Sequence, residues 1–208
     1  MVHLRPTRYA ATVQSVVLIL VYSGLSPTLG ANEATAEPPP HVGVLIIGQS
    51  AAPDEDLRKA VHFCLDIFRA AKIRVTWMNA LEDLSWEGPD IVIRGAILPR
   101  APVPKPADVF GTALPEKRHG LQFFIFYDRV LRLSKLADLP VHVVLCGALA
   151  HEAGHVLLGS AEHAVAGIMR GEWGGQQLSE LSQGLLRFTP QQRRQITSRV
   201  LSSASARR

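Results

Sequence analysis

The residues best suited to chemistry stand together at His151-Glu152-Ala153-Gly154-His155. On a helix, side chains four apart lie on one face, so His151 and His155 present two imidazoles to one point. Two imidazoles so placed suit two corners of a tetrahedral zinc site. Glu152 follows about 100° around the helix from His151, beside the coordination position left open for water. From there its carboxylate can take a proton from water and later pass it to a leaving amine. Cysteine ligands would indicate a structural site instead, and without the glutamate there would be no base. HExxH fixes only three positions and arises by chance in unrelated chains. What separates this occurrence is its setting, late in a strongly apolar helix where two histidines and a glutamate are costly to bury without a partner. Gly154 costs such a helix about 1 kcal/mol against alanine, unless a close neighbour requires it.

A hydrolytic site needs a third protein ligand. His163 is one candidate, four residues beyond Gly159, a span of up to about 13 Å that lets the chain turn back. Glu180 is another, in a helical-looking stretch from Gln176 to Leu186. Glu172 is a further candidate and Glu162 a local one, and for Glu172 and Glu180 a solvated surface position is the plain alternative. His41, His62, His119 and His142 read as surface or satisfied core histidines. His142 is nine residues before His151, which turns it about 180° away on the same helix. Tyr127 either donates to an oxyanion or packs at the end of an aromatic strand. Arg170 and Trp173 are candidates for a cleft lining. There is no glycine-rich phosphate loop, no Gly-x-Ser-x-Gly elbow and no supported Cys-His nucleophile pair.

The elements that must position these residues follow from hydrophobic pattern. Val42 to Ile47 is a continuous apolar run, a buried strand closed by Gly48. A helix is predicted from Asp54 to Ala71, with acids at its start and Leu57, Val61, Cys64, Leu65 and Phe68 on one face. Strands follow at Ile73 to Met78 and Asp90 to Leu98, then a weak edge strand at Val109 to Leu114 and a clear strand at Leu121 to Tyr127. The long apolar helix is predicted to begin near Asp138-Leu139-Pro140 and to stop at Gly159. Thr189-Pro190 with Gln192 starts a closing helix, with a frayed tail from Ser202 to Arg208. The expected fold class is α+β or α/β. A mixed, mostly parallel four- to five-stranded sheet packs on two long helices, with a C-terminal helix.

From His151 to Met169 the chain resembles the metzincin metallopeptidases. Their extended motif ends in a third histidine ligand, followed by a methionine turn beneath the metal. Here His163 and Gly167-Ile168-Met169 stand in those places. Leu158 replaces the family's glycine and Ala161 its third histidine, so the glycine arrives one residue late and the histidine two. The early methionine is similar to compact, archaemetzincin-like members, and the order of elements before the motif also resembles the clan. The resemblance implies His151, His155 and His163 as zinc ligands, Glu152 as general base, and an edge strand (Val109 to Leu114) pairing with extended substrate. The gluzincin scheme, with Glu180 as third ligand, is the competing arrangement.

The remaining composition sets the compartment and excludes other classes. Arg5 and Arg8, the apolar run Val16 to Tyr22, and the small residues Gly30, Ala31, Ala34 and Ala36 have the layout of a secretory signal peptide. Residues 1–36 are therefore expected to be signal and short linker, and 37–208 a single metallopeptidase-like domain, secreted or periplasmic. An uncleaved anchor is the alternative; once the signal is cleaved, no stable membrane insertion is expected. Too little chain separates the signal from the first strand for an inhibitory pro-segment. Twenty-two basic against eighteen acidic residues leave a net charge of +4, without the dense basic stripe of a nucleic-acid surface. Cys64 and Cys146 are open to a disulfide or to burial as free thiols. The expected activity is zinc-dependent hydrolysis of peptide or protein substrates. A secreted zinc-binding interaction protein without turnover is the alternative.

Overall fold

The computed structural model describes residues 38–78, 88–103, 106, 109–114 and 121–205. The signal-peptide reading, His119 and tail residues 206–208 lie outside them. The strands are β1 (His41–Ile46), β2 (Arg74–Met78), β3 (Ile91–Leu98), β4 (Gly111–Leu114) and β5 (Gln122–Phe126), in the order β2-β1-β3-β5-β4. β1 pairs in parallel with both β2 and β3, and β3 with β5; only β4 runs antiparallel, along β5. A strand covered on both faces must be apolar throughout, and Val42 and Val44 of β1 are fully buried. At the β3–β5 contact, Gly95 stands opposite Phe123. A Cβ there would fall 2.3 Å from the ring, so the glycine makes room for the aromatic. The architecture is the mixed, mostly parallel α/β sheet that hydrophobic patterning predicts.

Parallel neighbours need a crossover, and α1 (Asp54–Ala70) carries the chain from β1 to β2. Its buried face is Ala60, Cys64, Ile67 and Phe68, while Leu57, Val61 and Leu65 are half-buried. The stripe expected from spacing is thus rotated. Small residues Ala60 and Cys64 face the core because α1 packs closely on the long helix. At that contact the Cys64 thiol donates to the Cys146 carbonyl at 3.2 Å, and both cysteines are buried free thiols. Burial pushes the Cys64 thiol well up from its usual value.

Between β5 and the long helix lies an element that patterning did not predict, α2 (Tyr127–Ala137). β5 passes directly into it through Phe126, with no glycine or proline to mark the change. Asp138, expected to begin the long helix, instead ends α2. It sits in the left-handed region at φ 51° with its N–H on the Ser134 carbonyl. The long helix, α3 (Val141–Leu158), starts after Pro140, and every residue from Val143 to Leu158 is buried. It stops at Gly159, φ 65°.

Two later helices close the fold, α4 (Gly175–Ser182) and α5 (Pro190–Ser205). α5 opens with a reciprocal cap: the Thr189 N–H donates to Gln192 Oε1 at 2.8 Å, and the Gln192 N–H to Thr189 Oγ1 at 3.3 Å. The predicted fraying from Ser202 does not occur up to Ser205. Ser202 and Ser205 donate back to the carbonyls of Ser198 and Leu201 within the helix. α5 also closes the end of α3. Arg199 Nε donates to Leu157 O at 3.1 Å and Gln195 Nε2 to Leu158 O at 3.3 Å, answering carbonyls the helix leaves unpaired. Removing the Arg199 cap by Arg199→Ala is expected to cost about 1 kcal/mol, lowering the melting temperature by about 2–4 °C. An unchanged thermal unfolding curve would refute that role.

Candidate metal centre

α3 carries His151 and His155 one turn apart on a buried face, 9% and 5% exposed. Their Nε2 atoms are 3.1 Å apart. Two tetrahedral ligands at about 2.0–2.1 Å from one ion stand about 3.3 Å apart, so the pair is already near that separation. His151 Nδ1 is 2.8 Å from the Ile168 carbonyl, and His155 Nδ1 is 2.8 Å from the Ser160 carbonyl. A carbonyl only accepts, so each Nδ1 bears the proton and each Nε2 keeps its lone pair for a cation.

His163 comes from the irregular segment beyond Gly159. It is exposed, and its ring lies 5.3 Å from that of His151 and 5.0 Å from that of His155, centroid to centroid. One ligand atom from each histidine falls within 4.8 Å of the others, a group able to hold a metal ion. Backbone bonds set the returning loop: Ala164 N–H to Met169 O at 2.8 Å, and Ile168 N–H to Arg187 O at 3.0 Å. Gly167 turns it at φ 72°. At Gly171 an added Cβ would meet the His163 ring at 3.0 Å. The chain thus accommodates the late histidine by a loop tied at both ends.

Met169 is buried against α3 at Gly154. A Cβ on Gly154 would lie 2.4 Å from its sulfur, which is the close approach a mid-helix glycine implied. Glu152, 6% exposed, lines the same cleft as the histidines, a cavity of about 770 Å³. Its side chain lies against β4, where a Cβ on Gly111 would meet the carboxyl carbon at 2.8 Å. Trp173 forms another wall. It stacks on Phe110 at 6.3 Å, meets His151 edge-on at 5.8 Å, and packs over Gly147 one turn before His151.

The other sequence candidates fall elsewhere. Glu180 accepts from Gln176 Nε2 at 2.9 Å on the exposed side of α4, and Glu162 is exposed. Glu172 lines the cleft but is not grouped with the histidines. Tyr127 donates to Asp56 of α1 at 3.0 Å, and burial with that bond raises its hydroxyl to about 12. His41 bonds Thr76, and His62 and His142 stand apart from the cluster. Arg170 and Trp173 line the cleft as expected. Phe110 and Gly111 fall within Val109 to Leu114, the edge segment nominated for substrate, whereas sequence reasoning missed the cleft-facing Arg129 and Arg132. The last two share the unpredicted helix α2, and their spacing from Leu133 and Leu136 was the available signal.

Burial pulls His151 down from its usual 6.5 to about 4, against the opposing bond to Ile168 and with help from His155 and His163. Burial likewise lowers His155, against its bond to Ser160 and with help from His163. Both imidazoles are therefore held neutral, the form that binds a metal.

Fold and site together define a mixed α/β protein with a three-histidine cluster compatible with a metal ion. No family model matches the chain, and no curated protein matches it. Among solved structures it is similar to archaemetzincin from Methanopyrus kandleri, at TM-score 0.44 and 14% identity, covering 80% of this chain and 98% of that one.

Two outcomes follow from the packing and the lowered histidines. Gly154→Ala, which helix propensity alone would favour by about 1 kcal/mol, is expected to destabilise the protein by about 1–3 kcal/mol through overpacking on Met169. A higher denaturation midpoint would contradict this. In metal-free protein, the unfolded chain binds more protons than the folded one between pH 6.5 and about 4. Stability is therefore full above that window and falls as pH drops through it. Thermal melts after chelation should show the fall, diminished in His151→Gln; equal slopes in the two proteins would exclude His151 as its source.

Proposed function

We propose that the protein is a secreted or periplasmic zinc-dependent endopeptidase. The carrying observation is the three-histidine group beside Glu152, with two Nδ1 protons already committed to backbone carbonyls. His151, His155 and His163 would hold the ion, and an all-imidazole set of three suits zinc with one position open. When bound, zinc supplies Lewis-acid polarisation of a peptide carbonyl and lowers the pKa of water. The chain's own residues do the rest. Glu152 takes the proton of the attacking water and returns it to the departing nitrogen. Trp173 and Phe110 wall the cleft and limit solvent around the reacting groups.

β4 is suited to hold the substrate. Phe126 N–H donates to Phe110 O at 2.8 Å, so the antiparallel ladder bonds Thr112 and Leu114 to β5 in the same phase. Gly111 and Ala113 then turn their peptide groups away from β5, to the outer side of the last described strand. An extended peptide added there runs past Glu152, which packs on Gly111, and main-chain pairing tolerates many sequences. Export rests on the N-terminal charge and hydropathy pattern.

Glu152→Ala is expected to retain zinc and to lower cleavage of unfolded protein substrates by about 10²- to 10⁴-fold. His163→Ala should weaken zinc binding beyond the about 10- to 100-fold cost of losing an outer partner. Metal analysis and a cleavage assay on the same preparations decide. Wild type that binds zinc but is as inert as Glu152→Ala indicates a zinc-binding protein without turnover. Full zinc affinity in His163→Ala removes that residue from the ligand set.

A further inference from the structure

Hydrolysis makes no use of the cysteines, yet the fold brings them together. The whole chain has two, Cys64 on α1 and Cys146 on α3, and both are fully buried as free thiols. They stand 82 residues apart in sequence, and the Cys64 thiol donates to the Cys146 carbonyl at 3.2 Å. It also hydrogen-bonds the Cys146 side chain. A disulfide requires two Cα atoms within about 4.4–6.8 Å, so the helices carrying it must approach closely. Small residues allow that here. Ala60 lies one turn before Cys64, and Ala150 and Ala153 follow Cys146 at helical spacing, all of them fully buried. With two cysteines in the whole sequence, neither has a wrong partner within its own chain.

We propose that Cys64 and Cys146 are a disulfide site, closed when the chain folds in an oxidising compartment, and that the bridge pins α1 to α3 five residues ahead of His151. This rests on the export part of the proposed function, because a reducing compartment leaves thiols open. The oxidant is the disulfide of another molecule. One cysteine thiolate attacks a sulfur of that disulfide, forming a mixed disulfide and expelling one oxidant thiolate. The second cysteine attacks the protein sulfur of the mixed disulfide, joins Sγ to Sγ and releases the other oxidant thiol. Two electrons and two protons pass to the oxidant. In the folded protein both sulfurs are sealed in the core, and burial leaves Cys64 little thiolate. The exchange therefore belongs to folding, before α1 closes on α3. Once formed, the bridge is sealed from reductants in the same way.

The test starts from protein made in cells from the full chain. It is denatured in a thiol-alkylating reagent, with or without prior reduction, and its intact mass is measured. The expected result is no adduct without reduction, two adducts after it, and a cross-linked Cys64–Cys146 peptide in the unreduced digest. The oxidised protein should melt about 5–15 °C above the reduced protein. That difference should vanish in Cys64→Ala; its persistence there would deny the bridge any part in stability. Folded oxidised protein should also keep its bridge in reductant until urea opens the core. A second arm is independent of export. Reduced, denatured protein is refolded in an oxidising mixture of glutathione and its disulfide. Bridged monomer in that arm, with open thiols in the protein from cells, supports the site and removes the export reading alone. Two open thiols after oxidative refolding, or bridges formed only between chains, overturn the proposal and leave the zinc peptidase reading untouched.

Discussion

Two main-chain oxygens, those of Ile168 and Ser160, govern what the helical histidine pair can become. Each accepts the one ring proton of a neutral imidazole and so turns the other nitrogen towards its neighbour, 3.1 Å away. Neither oxygen belongs to α3. One comes from the loop tied to Arg187, the other from the turn just past Gly159, and Arg199 holds the carbonyl of Leu157 two residues before that turn. The poise of two side chains thus depends on groups drawn from residues 157 to 199. Burial adds the second half of the constraint, because imidazoles withdrawn from water resist protonation. Orientation thus comes from the two carbonyls, and the neutral charge state from burial, which outweighs the opposing pull of those same bonds.

Around that pair, glycines act as a mould. Gly147 admits Trp173, Gly154 admits Met169, Gly171 admits the His163 ring, and Gly111 admits the Glu152 side chain. Each is a point where an added methyl group would displace something that shapes the cleft. A helix interior would ordinarily use alanine at 147 and 154. Helix propensity has given way to close approach at both positions.

Much of this was legible beforehand because period and motif coincide. The apolar run of β1, the aromatic run of β5 and the apolar length of α3 each state their element without help from distant residues. HExxH on α3 needs only the helix to bring its histidines together. What was illegible had no local mark. α2 follows β5 without punctuation, and Asp138, an N-cap by type, serves a left-handed stop instead. α1 was found, but its buried face depended on the closeness of α3, which spacing alone does not encode. His163 could be nominated by type and by turn residues. Its position depends on Gly171 leaving room and on hydrogen bonds to Met169 and Arg187, partners that a linear reading cannot pair.

The shortness of β4 has a consequence of its own. It spans four residues at the rim of the sheet, and only two of them direct peptide groups outward. So brief a margin offers another molecule little to template on, which protects the protein against edge-to-edge growth. It also means that an added strand gains few main-chain bonds. A segment already engaged in a neighbouring sheet would lose more than this rim returns. Chains without such partners, loops and unfolded stretches, are the ones free to lie along it.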